Sequence, residues 1–422
     1  MRVRNDAIYR RRRRITLGAV ALVAAGSLTA CFAFGDESAE ETTPVAVDAN
    51  TDADSAQESQ TDGSEGESGE DADTEEAAHE PAERSDQTVM EQIDYITGDI
   101  TPKSVVANGQ GLVIANNMMY SHSTTVYDST SHELVATMSD SIDMSEYGIE
   151  GHPGISQGAP VEAAWTDDGQ FAYVSQYTMY GENYGTQGFD DCSPASGVGA
   201  SFLYRFNAAE MEWDQVIEVG AVPKYVDITP DQTRVLVSNW CDSTVSVVDI
   251  ESATETEVIS IAAAPRGIDV MPDNNTAYVA AMYADKLFKI DLEAGTSEVV
   301  METPRKPRHL NLSPDGAYLY MAVSGGDTIY KIDTATDQVV DEVITDREPR
   351  SMSMSPDGSA LYVVNYYEPS VSKIGTEDME VLQTEPTDAN PIGITYDAAT
   401  QQVWVACYGG SLIVFDDSQL AV

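Results

Sequence analysis

The chain is poor in the residues that ordinarily carry metal or redox chemistry. Its 422 residues include four Cys and five His. No Cys-x-x-Cys-His haem attachment, no Cys/His zinc spacing and no Gly-rich phosphate loop is present, so neither a cofactor nor a metal is expected. Positive charge is also scarce. Twenty-two Lys and Arg stand against 71 Asp and Glu, a formal net charge of −49. Such a surface repels nucleic-acid phosphates and anionic lipid headgroups, which excludes nucleic acid as a partner and leaves the N-terminus as the one membrane contact. No nucleophile, base and orienting group follow one another in a recognisable order.

The charge is divided unevenly. Residues 1–35 carry seven Arg and one Asp, residues 36–86 carry nineteen acidic residues and only Arg84, and residues 87–422 carry the remaining fourteen basic and 51 acidic residues. Arg10 to Arg14 precede an apolar stretch, Ile15 to Phe34. A positive region followed by an apolar one is the pattern of an export signal. Leu28-Thr29-Ala30-Cys31 resembles a bacterial lipobox, in which Cys31 is lipidated. The stretch is also long enough for an uncleaved anchor, and simple secretion is a third alternative. All three predict an extracytoplasmic location at the cell envelope. Residues 36–86 hold almost no large apolar side chain and cannot offset the entropy of ordering, so a disordered acidic tether is expected.

From residue 87 the chain repeats. Pro102, Pro160, Pro223, Pro265, Pro307, Pro349 and Pro391 mark one point in seven copies, and the last four steps are each 42 residues. Strand-like content at a fixed period near 40 means one sheet per repeat. In the third copy, Tyr225 to Ile228, Arg234 to Asn239, Thr244 to Ile250 and Glu255 to Ile261 read as four strands. Seven such sheets close into an all-β propeller over residues 87–422. The last copy lacks a fourth strand. Thr88 to Ile96 precedes the first copy as an orphan strand, and it is expected to pair with the last blade and seal the ring. Asp249, Asp291 and Asp333 end third strands and read as turn-forming acceptors, and Asp315-Gly316 and Asp357-Gly358 read as tight turns.

The second strands read Tyr173-Val174-Ser175-Gln176, Leu236-Val237-Ser238-Asn239, Tyr278-Val279-Ala280-Ala281, Tyr362-Val363-Val364-Asn365 and Trp404-Val405-Ala406-Cys407. They resemble the YVTN-repeat, YncE-like β-propellers. Asp190 to Ser196 and Ser238-Asn239-Trp240-Cys241 are similar to stretches in actinobacterial members of that family. The resemblance implies a seven-bladed propeller. Tyr320-Met321-Ala322-Val323 and Val113-Ile114-Ala115-Asn116 depart from the repeat.

One rim of such a ring gathers unusual residues. The loop of roughly Tyr177 to Gly199 is long, and long loops on rigid scaffolds are often functional. It holds Tyr177, Tyr180, Tyr184, Phe189 and Cys192, while Trp240, Tyr366, Tyr367 and Tyr408 follow second strands. Such aromatic planes suit sugars, cations or partner surfaces, although they could equally cover the blade tops. Cys192 and Cys241 fall on loops of adjacent repeats, and in an exported chain they are expected to form a disulfide. Cys407 reads as a buried thiol.

The sharper signal is basic. Lys103, Lys224, Arg266, Arg308 and Arg350 each follow a marker proline, with Val161 and Ile392 as exceptions. Ring closure would gather these cations at the channel mouth, where a carboxylate or phosphate would relieve their repulsion. The alternative is that strand alternation puts them on the face that packs between blades, with Val226 and Ile228, from which they snorkel. His309, beside Arg308, is the best-placed His for a polar or catalytic role. The expected function is thus a monomeric, envelope-anchored binding module for an anionic small molecule, glycan or envelope protein. A lactonase-like hydrolase and a spacer are the alternatives.

Overall fold

The computed structural model describes residues 84–118 and 120–421. The export segment with Cys31 and the tether as far as residue 83 lie outside the described residues. Among the described residues, helix is limited to three short 3₁₀ turns, and no helix is long and apolar enough to cross a membrane.

Seven four-stranded antiparallel sheets succeed one another along the chain. Blade 1 begins at Ser104–Ala107, and the marker prolines 160, 223, 265, 307, 349 and 391 open the first strands of blades 2 to 7. Each first strand packs against those of its two neighbours, including blade 1 against blade 7, so the first strands form a closed inner ring. Second strands are buried almost throughout, as in Phe171–Gln176, Arg234–Asn239 and Ala360–Asn365. A strand covered on both faces reads as a nearly continuous apolar run, which explains the Tyr-Val-Val-Asn pattern. Fourth strands lie outermost, and Gln338–Ile344 is exposed along most of its length.

The orphan strand closes the ring. Thr88–Thr97 pairs antiparallel with Ser411–Leu420 and becomes the fourth strand of blade 7. The ring begins slightly before the charge boundary at residue 87: the Ser85 backbone N–H donates to Asp357 (2.9 Å) and that of Asp86 to Ser359 (3.1 Å). A short hairpin, Ser141–Asp143 with Ile155–Gln157, joins blades 1 and 2 and has no counterpart in the other repeats. Its Ile142 and Met144 complete the apolar core of blade 2.

Local chemistry accounts for the turns. Asp249, Asp291 and Asp333 accept backbone N–H groups from Ser252 (2.8 Å), Ala294 (2.9 Å) and Thr336 (2.9 Å). Gly316 and Gly358 hold φ of 70° and 71°, the left-handed region that glycine adopts without strain.

In four of the seven blades the residue four positions past the marker proline is polar and bonds to the first strand of the next blade. Asp227 accepts from Val270 N (2.9 Å), Asp269 from Leu312 N (2.6 Å), Ser353 from Tyr396 N (2.9 Å) and Thr395 from Ala107 N (3.1 Å). Burial raises the Asp227 carboxyl to about 6, and burial together with Asp227 raises Asp269 well above the usual carboxylate range. The folded state therefore keeps these protons to higher pH than the unfolded chain does. The contribution of these two groups to stability is greatest below the ordinary carboxylate range and declines as pH rises toward and through about 6. Blade 5 has Asn311 at this position. Asp269→Asn should accordingly raise Tm by about 2–4 °C at pH 8, with the difference vanishing near pH 4 in paired melting curves. A variant that melts lower than wild type at both pH values would contradict this.

Candidate functional site

The marker proline is part of a repeated device. The residue before it is left-handed in five blades: Val222, Ala264, Lys306, Glu348 and Asn390 have φ between 52° and 62°. The carbonyls of these residues accept N–H groups from Trp240, Met282, Ser324, Tyr366 and Tyr408, each just past a second strand, at 2.9–3.1 Å. After the proline the ladder is irregular. Pro223 faces Asn239 and Val226 faces Val237, so one extra residue is inserted in the first strand, and the same bulge recurs in blades 2, 4, 5, 6 and 7. A bulge interrupts alternation and re-aims a side chain. The residue after the proline is thereby released from the face of Val226 and Ile228.

Lys103, Lys224, Arg266, Arg308 and Arg350 converge on one cavity of about 830 Å³ at the channel mouth. Each is partnered differently. Lys224 pairs with Asp190 (2.9 Å), and its ammonium lies over the rings of Tyr177 (4.3 Å) and Trp240 (4.9 Å). Arg350 pairs with Glu348 (2.5 Å) and stacks on Tyr366 at 3.3 Å. Lys103 and Arg266 share one oxygen of Glu162, at 3.3 and 3.6 Å. Arg308 has no carboxylate partner among the described residues. It is 7% exposed, its Nη1 reaches only Met282 Sδ at 3.9 Å, and its Nε has no hydrogen-bond acceptor.

The electrostatics follow from burial and crowding. Burial, together with Arg266 and Arg308, lowers Lys103 to about 7 against the pull of Glu162. Burial lowers Lys224 to about 8 although Asp190 opposes it. Burial would raise Asp190, but Lys224 and Tyr177 outweigh it and hold that carboxyl at about 2. Burial, then Arg266 and Arg350, push the Arg308 guanidinium well below its ordinary value.

The long loop of blade 2 roofs part of the cavity. It crosses to blade 3, where Cys192 and Cys241 form a disulfide with Cα atoms 5.2 Å apart. Gly188 sits against Val222, which a Cβ would meet at 2.4 Å. The crossing delivers Asp190 to Lys224 and places Tyr177, Tyr180 and Phe189 on the cavity wall. Cys192→Ser with Cys241→Ser removes a cross-link over 49 residues, with an expected loss of up to about 4 kcal/mol in the chain-entropy description. Within the ring, limited proteolysis should then cut first between residues 177 and 199; a first cut elsewhere in the ring would show that the disulfide does not restrain this loop.

Four residues singled out in the sequence lie elsewhere: Tyr184 packs onto the core of blade 2, Tyr367 lies exposed beside Tyr366 and Arg347, and Trp240 and His309 sit apart from the cavity as well. Trp240 is 4% exposed and does not line the cavity: it is covered by the blade 2 loop, and its Nε1 donates to the Asp190 carbonyl (3.0 Å). Its role is to back Lys224 and Asp190. His309 lies below the cations in a narrower inner chamber of about 160 Å³ with Glu162 and Tyr225. Its ring packs edge-on against Tyr225 at 5.0 Å. Burial and the cations above push it down to about 3, so it stays neutral at physiological pH. Tyr366 and Tyr408 do line the cavity. Sequence reasoning missed Glu162, although it is the one acidic residue two positions past a marker proline. It also passed over Glu348, and over Asp140, which holds the rim residue His122 at 2.8 Å. Cys407 is a buried free thiol.

Fold and cavity together define a seven-bladed β-propeller, a scaffold that carries binding or catalytic sites in its central depression. The chain is similar in structure to Kuenenia stuttgartiensis hydrazine synthase, with a TM-score of 0.59 and 16% identity, over 75% of this chain and 96% of that one. At that identity the likeness concerns the fold. No family model and no curated protein matches the sequence.

Proposed function

We propose that this chain is an extracytoplasmic, envelope-anchored propeller of the YncE-like type that binds a small anion in its central cavity. The observation that carries the reading is Arg308, a buried guanidinium without a counter-ion in a cavity with four other cations. Burying an unpaired charge costs several kcal/mol, and a fold keeps such a group where a ligand neutralises it. Because the cations lie inside a cavity of about 830 Å³, a small molecule fits them better than an extended glycan or a protein face. The Arg-rich N-terminus, the apolar run ending near Cys31 and the acidic tether support the envelope location. A lactonase-like reading finds less support, since His309 sits below the cation layer and is held neutral. A spacer would have no use for an unpaired buried cation.

Calorimetric titration of the propeller with inorganic phosphate tests the reading. Binding is expected, and affinity should fall as pH rises from about 8 toward 9, where phosphate is already dianionic while Lys103 and Lys224, lowered to about 7 and about 8, lose their charge. Absence of binding at millimolar phosphate and millimolar citrate would overturn it.

A further inference from the structure

The cavity is divided into two halves of different chemistry. Blades 3 to 6 contribute Lys224, Arg266, Arg308 and Arg350, one cation each. The arc from blade 7 through blades 1 and 2 carries one cation, Lys103, and beside it and His122 presents mainly apolar and aromatic groups. Where a sixth and seventh cation could stand, the sequence has Ile392 and Val161. Ile392 and Ala159 line this side, and Tyr120, Tyr180 and Tyr408 rise above them. Among the described residues no cation stacks on these three rings, unlike Tyr177 and Tyr366, which are occupied by Lys224 and Arg350. Tyr120 is 82% exposed, so its ring face is open.

Charge counting fixes the other end. Five cations, with Lys103 the exception on the aromatic side, meet three carboxylates in direct contact: Glu162, Asp190 and Glu348. The formal excess is two positive charges. One belongs to Arg308. The other arises because Lys103 and Arg266 divide a single oxygen of Glu162 between them. A monoanion would leave one of these uncompensated in a poorly solvated site, whereas a dianion matches the excess.

We infer that the ligand is a ring-bearing organic dianion, its doubly charged group on Arg308 and Arg266 and its ring on the arc of Tyr120, Tyr180 and Tyr408. This rests on the anion-binding reading above and adds two requirements to it, a second charge and a planar or cyclic body. An aryl or glycosyl phosphomonoester has both. A sugar ring or an aryl ring would each use the tyrosine faces, which suit either.

The test compares inorganic phosphate, benzenesulfonate, phenyl phosphate and glucose 1-phosphate by calorimetry on the intact ring at pH 7. At least one of the two organic phosphates is expected to bind about tenfold tighter than inorganic phosphate, and phenyl phosphate about tenfold tighter than benzenesulfonate. Equal affinity for benzenesulfonate and phenyl phosphate would overturn the second charge. No preference of either organic phosphate over inorganic phosphate would overturn the ring. Failure of all four to bind would remove the anion-binding reading itself. In the Tyr180→Ala, Tyr408→Ala double variant the ratio of affinities for the preferred organic phosphate and inorganic phosphate, both measured on that variant, should fall from about ten to about one. A retained preference would overturn the placement of the ring on this arc.

Discussion

Arg308→Met is expected to raise Tm while abolishing anion binding. The two effects share one cause. In the free protein the guanidinium is desolvated and repelled by Arg266 and Arg350, and its Nε has no acceptor. Methionine follows the course of the arginine stem, carries no charge, and is flexible enough to pack toward Met282, which the guanidinium touches. Replacing buried ions with apolar groups is often stabilising by about 1–4 kcal/mol, which corresponds to a rise of a few degrees for a ring of this size. The ligand effect runs the other way. Wild-type protein should gain about 2.7 kcal/mol at an anion concentration one hundred times Kd, whereas the variant should melt at the same temperature with and without phosphate. Melting curves of both proteins, each with and without phosphate, read out all four states. A variant that melts several degrees lower without ligand would mean that Arg308 has a stabilising partner in solution, and the case for an anion would lose its foundation.

How far the sequence carries this conclusion depends on the kind of signal. The blades were legible because a 42-residue step repeats a whole sheet, and a doubly covered second strand such as Ala360–Asn365 can only be written with buried residues. The cations were legible as positions but not as directions. Alternation along a regular strand would have set Lys224 beside Val226, between blades. The inserted residue after Pro223 overrides alternation, and nothing in the residue types spells that bulge. Trp240 and His309 illustrate the same limit. Each adjoins a site residue in the chain, yet a loop arriving from another blade covers the first and strand direction buries the second below the cation layer. Glu162 escaped notice because its partners are contributed by blades 1 and 4. Contacts across the axis of a ring have no sequence periodicity to reveal them.

The largest loss of stability is expected at the seam where the chain closes on itself. Lys373 of blade 6 is fully buried; its Nζ lies 2.6 Å from Asp417 and donates to the carbonyl and the hydroxyl of Thr88, each at 2.8 Å. Asp417 also accepts from the Thr88 hydroxyl (3.0 Å) and from the Tyr362 hydroxyl. One ion pair thus ties blade 6, the third strand of blade 7 and the first residue of the closing strand. Asp417→Ala leaves the Lys373 ammonium buried without its carboxylate and strips the Tyr362 hydroxyl of its acceptor, while the Thr88 hydroxyl keeps the Ser85 carbonyl (3.0 Å). A loss of about 3–5 kcal/mol is expected, together with faster amide exchange along Thr88–Thr97, which depends on this anchor at its start. Lys373→Met combined with Asp417→Leu removes both charges and should recover more than half of that loss, because what destabilises the single variant is the orphaned charge rather than the missing attraction. Denaturant unfolding of the single and double variants gives the two energies. Equal losses in both would show that packing at these positions, not charge, holds the ring shut, while a loss below about 1 kcal/mol in Asp417→Ala would show that water reaches the seam and screens the pair.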